Sequence, residues 1–184
     1  YRLHPSPSVP LLAITLHPDC STLRGIDPLR VARSMAPALA VAFFSKSSAG
    51  TLPVTLSCAE NNVGVSAPVA RFVLPICTTI NMNGCAAFIL VTVLFLMQNA
   101  GIDITLPIAL SWIVIATIAA IGNAGVPMGC FFLSASLLAS MDVPIQLMGV
   151  ILPVYAVIDM VETTLNVWSD SCVAACVDHD LTES

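Results

Sequence analysis

Charged side chains are absent from two long stretches of this chain, and their absence constrains the fold more than any other feature. No Asp, Glu, Lys or Arg lies between Arg71 and Asp103, or between Asp103 and Asp142. Each interval exceeds the roughly 20 apolar residues that cross the hydrocarbon core of a bilayer. Only 9% of the residues are charged and 57% are hydrophobic, whereas a soluble domain carries about 25% charged residues. The chain is therefore predicted to be a membrane protein.

Two apolar blocks are each interrupted by a polar segment, and each is predicted to form a hairpin of two helices. The first block covers residues 28–62 and is broken at Ser45–Gly50; the second covers residues 104–141 and is broken at Gly122–Gly129. The halves of the first block are shorter than the roughly 20 residues of a membrane span. Two short helices that meet at a polar tip predict a re-entrant hairpin.

The other two apolar blocks are long enough to cross a membrane. Residues 67–100 contain the polar run Thr78–Gly84, and residues 143–177 carry acidic side chains in the middle. Both are predicted to be transmembrane helices with a broken centre, so that a hairpin followed by a broken span occurs twice. This pattern is typical of inverted-repeat transporters, which bind their cargo at such breaks near the bilayer midplane. The alternative is that the breaks are ordinary loops of a soluble protein.

The ends of the chain differ from these blocks. Residues 1–27 are predicted to be a poorly defined N-terminal edge, the remnant of a preceding span, and residues 178–184 a cytoplasmic tail. The positive-inside rule places the base of the first hairpin in the cytoplasm, because five of the six basic residues lie around it; they are Arg24, Arg30, Arg33, Lys46 and Arg71. We expect a multi-pass protein of the plasma (inner) membrane, and no basic patch indicates a nucleic-acid partner.

The seven cysteines contain no CxxC pair. Cys58, Cys77, Cys85 and Cys130 stand in apolar sequence, where a cysteine is a small buried hydrophobe. Two further cysteines, at positions 172 and 176, are one helical turn apart, a spacing that can hold a metal. Close helix packing by small residues is the favoured interpretation of that pair.

Four motifs follow one another at the breaks and in the last block, and together they resemble one family. They are Ser47-Ser48-Ala49-Gly50-Thr51-Leu52-Pro53-Val54-Thr55, Thr79-Ile80-Asn81-Met82-Asn83-Gly84, Ile121-Gly122-Asn123-Ala124-Gly125-Val126-Pro127, and Asp159-Met160 with Asn166-Val167 and Asp170. This order resembles the C-terminal half of the dicarboxylate/amino acid:cation symporter family, which includes glutamate and aspartate transporters. The resemblance covers roughly residues 28–178, which would form the transport domain. It implies an all-α membrane fold that is half of an inverted-repeat transporter.

The resemblance also implies a function and an assembly. The chain would belong to a secondary active symporter that moves an amino acid with sodium ions by alternating access, and not to an enzyme. The N-terminal scaffold half would be missing, and the parent would be a homotrimer in the lipid bilayer. No cofactor is expected beyond sodium as the coupling ion, with protons as an alternative. We expect the segment alone to bind weakly and not to transport.

The resemblance assigns an amino-acid site to residues of both hairpin tips, the broken span and the last span. Both tips would clamp the substrate carboxylate through main-chain groups, since helix N-termini attract anions. Asp159 would hold the substrate amino group. The substrate-binding residues implied are Ser47, Ser48, Cys85, Val126, Gly129, Asp159, Glu162, Thr163 and Asn166.

Sodium sites are implied at the unwound span and the second tip, because an unwound helix supplies free carbonyl oxygens. An aspartate inside a span costs about 3 kcal/mol on insertion scales and therefore needs a partner. By resemblance Asp170 binds sodium; the alternative is that the acids only bond neighbouring helices. The implied sodium ligands form two sets. The first set is Cys77, Thr79, Asn81, Asn166 and Asp170; the second is Met82, beside Thr79, with Ala120, Ile121 and Asn123.

Three positions depart from the family pattern. Glu162 stands where acidic-substrate members carry an arginine, which predicts a neutral or cationic amino acid as substrate. The alternative is that Glu162 points at another helix and leaves the substrate alone. Asn83 and Tyr155 replace two acids of the family. Fewer coupled sodium ions, or proton coupling through Glu162, would follow.

Other functions remain as alternatives: an acidic amino acid or dicarboxylate symporter, an ion channel, or a non-functional fragment. An intramembrane hydrolase is disfavoured because a serine nucleophile needs a base, and no histidine lies in a predicted span. An aspartyl protease needs aspartates from two spans, whereas Asp159 and Asp170 share one.

Overall fold

The protein is described by a computed structural model that covers residues 25–183, so most of the predicted N-terminal edge lies outside it. The described residues form helices and contain no strand, which confirms the all-α prediction. The helices are α1 (Pro28–Ser34), α2 (Ala36–Ser45), α3 (Ser48–Cys58) with a π-helical turn (Ala59–Val63), α4 (Ala67–Ile80), α5 (Asn83–Asn99), α6 (Leu106–Gly122), α7 (Gly129–Ala139) and α8 (Gln146–Glu183).

The first helix pair turns sharply between α2 and α3. Lys46 ends α2 in the left-handed conformation, with φ of 55°. Ser47 then caps α3, since its hydroxyl oxygen accepts the main-chain N–H of Gly50 at 3.0 Å. Such a cap satisfies one of the amides that a helix N-terminus leaves without a partner. The two helices pack against each other, and the turn presents Lys46 and Ser47 at the tip of the pair.

The helix that begins at α4 is interrupted at Asn81 and Met82, where ψ is 60° at both residues. The side chains of Asn81 and Asn83 both donate to the Ser169 hydroxyl of α8, at 3.0 and 2.7 Å. These contacts hold the break against α8. Together α4 and α5, over Ala67–Asn99, are long and apolar enough to cross a membrane, with a mean hydropathy of 2.0 over an 18-residue stretch.

The second helix pair is built differently from the first. Its connection contains three residues with positive φ, namely Ala124 (50°), Gly125 (69°) and Met128 (61°). Both α6 and α7 pack mainly on α5, whereas α2 and α3 pack on each other. The second tip therefore rests on the broken helix.

The last helix, α8, runs without interruption over Gln146–Glu183. The predicted broken centre of this span is therefore wrong, and the helix also continues through most of the predicted tail. Acidic side chains do not interrupt a helix ladder as glycine and proline do, and Pro153 is the only proline in α8. By length and composition, Gln146–Thr182 is a second candidate membrane span, with a mean hydropathy of 1.5 over an 18-residue stretch.

The core has two parts that α8 connects. One is centred on α5 and includes Trp112, Phe131 and Tyr155. The other joins the first pair and α4 to the C-terminal half of α8, through residues such as Leu74 and Val167. Many large apolar side chains lie outside both parts, which is typical of a surface that meets lipid or further protein. The two tips meet at the junction between the parts.

Candidate functional site

The two hairpin tips touch each other directly. The Ser47 hydroxyl donates to the carbonyl of Gly125 at 3.2 Å. A Cβ atom at Gly125 would lie 3.3 Å from the Ala49 nitrogen and 3.1 Å from the Thr78 carbonyl. Such distances are tighter than an ordinary contact of a Cβ atom, and the φ of 69° also favours glycine. Glycine therefore lets both tips and the break of α4–α5 meet at one point without strain.

A small pocket of about 10 Å³ lies at this meeting point. Six of the nine predicted substrate residues line it, together with three of the predicted sodium ligands, of which Asn166 belongs to both sets. The lining residues are Lys46, Ser48, Met82, Cys85, Asn123, Gly125, Val126, Asp159, Thr163 and Asn166. Such a volume holds about one water molecule, so a tip must move before an amino acid can enter.

Two other predicted substrate residues support the pocket from outside its lining. Ser47 joins the tips through its bond to Gly125. A Cβ atom at Gly129 would lie 1.5 Å from the Asn123 Oδ1 atom. Glycine at this position therefore makes room for the Asn123 side chain, which is buried in the pocket wall.

The Asp159 carboxylate holds the second tip against α8. Its Oδ2 atom accepts the main-chain N–H of Met128 at 3.2 Å. Its Oδ1 atom accepts the Tyr155 hydroxyl at 3.4 Å. The ammonium group of Lys46 attracts Asp159 from the first tip. The carboxylate predicted to hold a substrate amine therefore has polar partners from both tips in this closed arrangement.

Glu162 lies behind the pocket wall and not in it. Its Oε2 atom accepts the Tyr155 hydroxyl at 3.4 Å and the Cys85 thiol at 3.9 Å. Its Oε1 atom is buried and has no hydrogen-bond partner. Beside it runs an apolar groove of about 220 Å³ between α5 and α8. This geometry favours the interpretation in which Glu162 points at the neighbouring helix, with Cys85 between it and the pocket.

Part of the first predicted sodium set is assembled around Asp170, which is 1% exposed. The Asn81 amide donates to Asp170 Oδ1 at 2.9 Å and to the Ser169 hydroxyl at 3.0 Å. Cys77 is buried close by, within electrostatic range of the Asp170 side chain. Thr79 points elsewhere, since its hydroxyl donates to the Ile76 carbonyl at 2.8 Å.

The carboxylate, amide and hydroxyl oxygens of Asp170, Asn81 and Ser169 are hard donors, which suit a sodium ion. The Asn81 side chain would turn its amide oxygen toward such an ion, because amide orientation is not fixed by shape alone.

The second predicted sodium set lies at the end of α6. The carbonyls of Ala120 and Ile121 accept turn hydrogen bonds from Asn123 and Ala124, at 3.1 and 3.3 Å. Each carbonyl keeps one lone pair for an ion. The Met82 sulfur lies 3.4 Å from the Asn166 amide nitrogen, so this thioether faces the pocket and α8.

Four residues of the site are missing from the sequence-based set. Tyr155 bridges Asp159 and Glu162, and its position four and seven residues before them was the available signal. Lys46 stood out as the only charge in a predicted tip, and Ser169 as a neighbour of Asp170. Cys130 gave no signal, because its contacts with Asn123 and Cys85 come from the path of the chain and not from local spacing.

Comparisons with known proteins place the sequence in one family. The sequence profile of the sodium:dicarboxylate symporter family matches residues 9–180, and so begins further toward the N-terminus than the motifs. Human neutral amino acid transporter B(0) is 34% identical over 160 residues, which is 86% of this chain and 30% of that protein. Mouse excitatory amino acid transporter 3 is 37% identical over 145 residues, which is 79% of this chain and 28% of that protein. Bovine neutral amino acid transporter A is 33% identical over 153 residues, which is 83% of this chain and 29% of that protein. The chain thus spans about 30% of the length of these relatives.

Proposed function

This chain belongs to the sodium:dicarboxylate symporter family, and we propose that it carries the amino-acid and sodium sites of a secondary active symporter for a neutral or cationic amino acid. The family and the relatives named above are membrane transporters and not enzymes. The observation that carries the proposal is the small pocket where both tips, the break of α4–α5 and Asp159 meet. Irregular backbone buried at such a point is a feature of transporter binding sites.

The pocket offers separate partners to the two charges of an amino acid. The substrate amino group replaces Met128 as a partner of Asp159. The substrate carboxylate takes the main-chain amides at the start of α3 and α7, where helix dipoles favour an anion, and Lys46 adds a positive charge. The substrate side chain then points toward Cys85.

The charges around this last position favour a neutral or cationic side chain. None of the described residues that line the pocket is an arginine. Glu162 stands behind Cys85, and its carboxylate has no cation among the partners described above. An ionised Glu162 would repel a second carboxylate and attract an amine through one layer of side chain, because a buried site screens charge weakly.

Sodium coupling follows from the adjacency of two residues at the break. Asn81 bonds to Asp170, and the next residue, Met82, lines the pocket. An ion bound at Asp170 and Asn81 would order the backbone that shapes the amino-acid site. Substrate binding and sodium binding would then stabilise the same arrangement, which is thermodynamic coupling.

Opening the site requires a few contacts to break. The tips separate when the bonds from Ser47 to Gly125 and from Met128 to Asp159 are lost.

The remaining parts of the proposal come from the family resemblance: re-entrant hairpins, half of an inverted repeat, association with a scaffold segment, a homotrimer, and a multi-pass place in the plasma membrane. Protons are an alternative coupling ion.

An acidic substrate is the second candidate, because Lys46 could pair with a second carboxylate in the pocket.

The test is binding of acidic, neutral and basic amino acids, up to millimolar concentrations, to the chain in detergent, with sodium or with choline in its place. Wild type should bind neutral or basic amino acids only with sodium, and Glu162→Arg should gain aspartate or glutamate. Glu162→Gln is the matched control, which should lose any preference for basic amino acids without gaining acidic ones. Binding of aspartate by wild type would show that the neutral or cationic assignment is wrong.

A further inference from the structure

Three side chains that can bind a metal converge behind the amino-acid pocket. Cys85 comes from α5, Cys130 from α7 and Glu162 from α8, and each is at most 3% exposed. Their sulfur and carboxylate oxygen atoms all lie within 4.8 Å of one another. We propose that Cys85, Cys130 and Glu162 form a binding site for a soft divalent cation, with Zn²⁺ as the reference ion.

The spacing fits a tetrahedral cation. With Zn–S bonds of about 2.3 Å and Zn–O bonds of about 2.0 Å, neighbouring ligand atoms are roughly 3.5–3.8 Å apart. The Cys85 sulfur lies 3.9 Å from Glu162 Oε2. Binding therefore needs a shift of a few tenths of an ångström at this edge of the site, which side-chain rotation supplies. Two sulfur ligands favour a soft cation over sodium or magnesium, which prefer oxygen ligands.

Two buried polar atoms beside these ligands have no hydrogen-bond partner, namely Glu162 Oε1 and Asn123 Oδ1. A buried polar atom without a partner is costly, and a buried carboxylate without a cation more so. The Asn123 amide nitrogen lies 3.2 Å from the Cys85 sulfur and 3.5 Å from the Cys130 sulfur. Rotation of this amide by half a turn places Oδ1 toward the sulfurs as a fourth ligand. A cation would thus give Asn123 Oδ1 a partner and would neutralise the buried carboxylate of Glu162.

Outer contacts orient the three ligands. The Tyr155 hydroxyl donates to Glu162 Oε2 at 3.4 Å, and the Asn166 amide lies 3.7 Å from the Cys85 sulfur. Metal sites depend on such outer partners, because these fix the direction of the ligand lone pairs. On binding, the two thiols become thiolates and their protons pass to solvent, so the cation is held by two thiolates and one carboxylate.

The position of the site predicts its effect. Cys85 and Asn123 also line the amino-acid pocket, and Cys130 belongs to the helix that follows the second tip. A cation bound to α5, α7 and α8 together would hold the second tip in its closed position. Zinc would therefore act on the same tip that must move for an amino acid to enter.

The test uses the chain in detergent, titrated with Zn²⁺ against a competing chelator and with Cd²⁺, whose thiolate complexes absorb in the ultraviolet. One cation should bind per chain, and the Cd²⁺ absorption should correspond to two thiolates. Cys130→Ala and Glu162→Gln should each weaken binding by at least about 100-fold, because loss of even an outer partner costs 10–100-fold. Cys58→Ala and Cys172→Ala, which remove buried thiols elsewhere, should leave the affinity unchanged.

Three results would overturn the proposal. They are a wild-type chain without cadmium–thiolate absorption, an affinity that Cys130→Ala leaves intact, and a loss of binding in Cys172→Ala. If Cys130→Ala loses its helical circular dichroism, Cys130→Ser replaces it as a closer match in size. The count of thiolates per Cd²⁺ in wild type needs no variant, so a folding defect cannot hide a negative answer.

Discussion

Gly84 of the broken helix lies against the backbone of α8, and replacing it with alanine should separate the two elements of the site. A Cβ atom at this position would lie 2.9 Å from both the Cα and the carbonyl oxygen of Glu162, and 3.3 Å from Asn166 Oδ1. The first two are main-chain atoms, which cannot rotate away as a side chain can. Helix α5 must therefore move from α8 by roughly half an ångström to one ångström before the contact is tolerable.

The cost of Gly84→Ala can be worked from these distances. Overpacking of this kind costs about 1–3 kcal/mol. The Gly84 N–H donates to Asn166 Oδ1 at 2.8 Å, and stretching this buried bond until it fails adds about 1–3 kcal/mol. The higher helix propensity of alanine returns at most about 1 kcal/mol. We therefore expect the free energy of unfolding to fall by about 1–5 kcal/mol.

The assay is unfolding in detergent, followed by helical circular dichroism, with Gly149→Ala as the matched control. Gly149 is also helical, and a Cβ atom there would meet nothing within 4 Å. The control should be unchanged or more stable by up to about 1 kcal/mol. Gly84→Ala should also weaken amino-acid binding, since Cys85 and Asn166 line the pocket. Equal stability of the two variants would refute the close contact between α5 and α8.

Three further predictions concern single contacts. Asp170→Asn removes the carboxylate that Asn81 contacts at 2.9 Å. Loss of one charged partner should weaken sodium binding by about 1.5–3 kcal/mol. The sodium concentration for half-maximal amino-acid binding should then rise about tenfold or more. The hydrogen bond from Arg71 holds the pKa of Glu60 below its ordinary value. This pair therefore stabilises the fold at pH values above the ordinary pKa of a glutamate. The stabilisation is lost as the pH falls through the lowered pKa of Glu60. In Arg71→Gln the pKa of Glu60 should return to its ordinary range in an NMR titration. Trp168→Phe removes the 3.0 Å bond from the indole N–H to the Pro28 carbonyl, which should cost about 1 kcal/mol in the same unfolding assay.

The sequence predicts local features of this protein well, because they depend on residue type at short range. The helix ends at Ser45, Ile80 and Gly122 fall at or beside the polar runs of the sequence, since serine, asparagine and glycine favour chain breaks. The unbroken course of α8 was not predicted. Acidic residues in an apolar block indicate functional side chains and do not by themselves indicate an interrupted helix.

Contacts between distant segments explain most of what the sequence could not predict. The i,i+3 spacing places Glu162 on the same helix face as Asp159, but it does not show that Cys85 stands between Glu162 and the pocket. The same limit applies to Cys130, which comes to Asn123 only through the turn of the second tip. Side chains of one helix can be assigned to a face, whereas the neighbour they meet depends on how the helices pack.

The most direct test of the central claim is the dependence of amino-acid binding on sodium in this chain. Raising sodium at constant ionic strength should tighten binding of a neutral or cationic amino acid, and the amino acid should tighten sodium binding by the same factor. Asp170→Asn should lose most of this dependence, whereas Gly149→Ala should keep it. An amino-acid affinity that is the same in sodium and in choline would contradict the proposal that this segment holds both coupled sites.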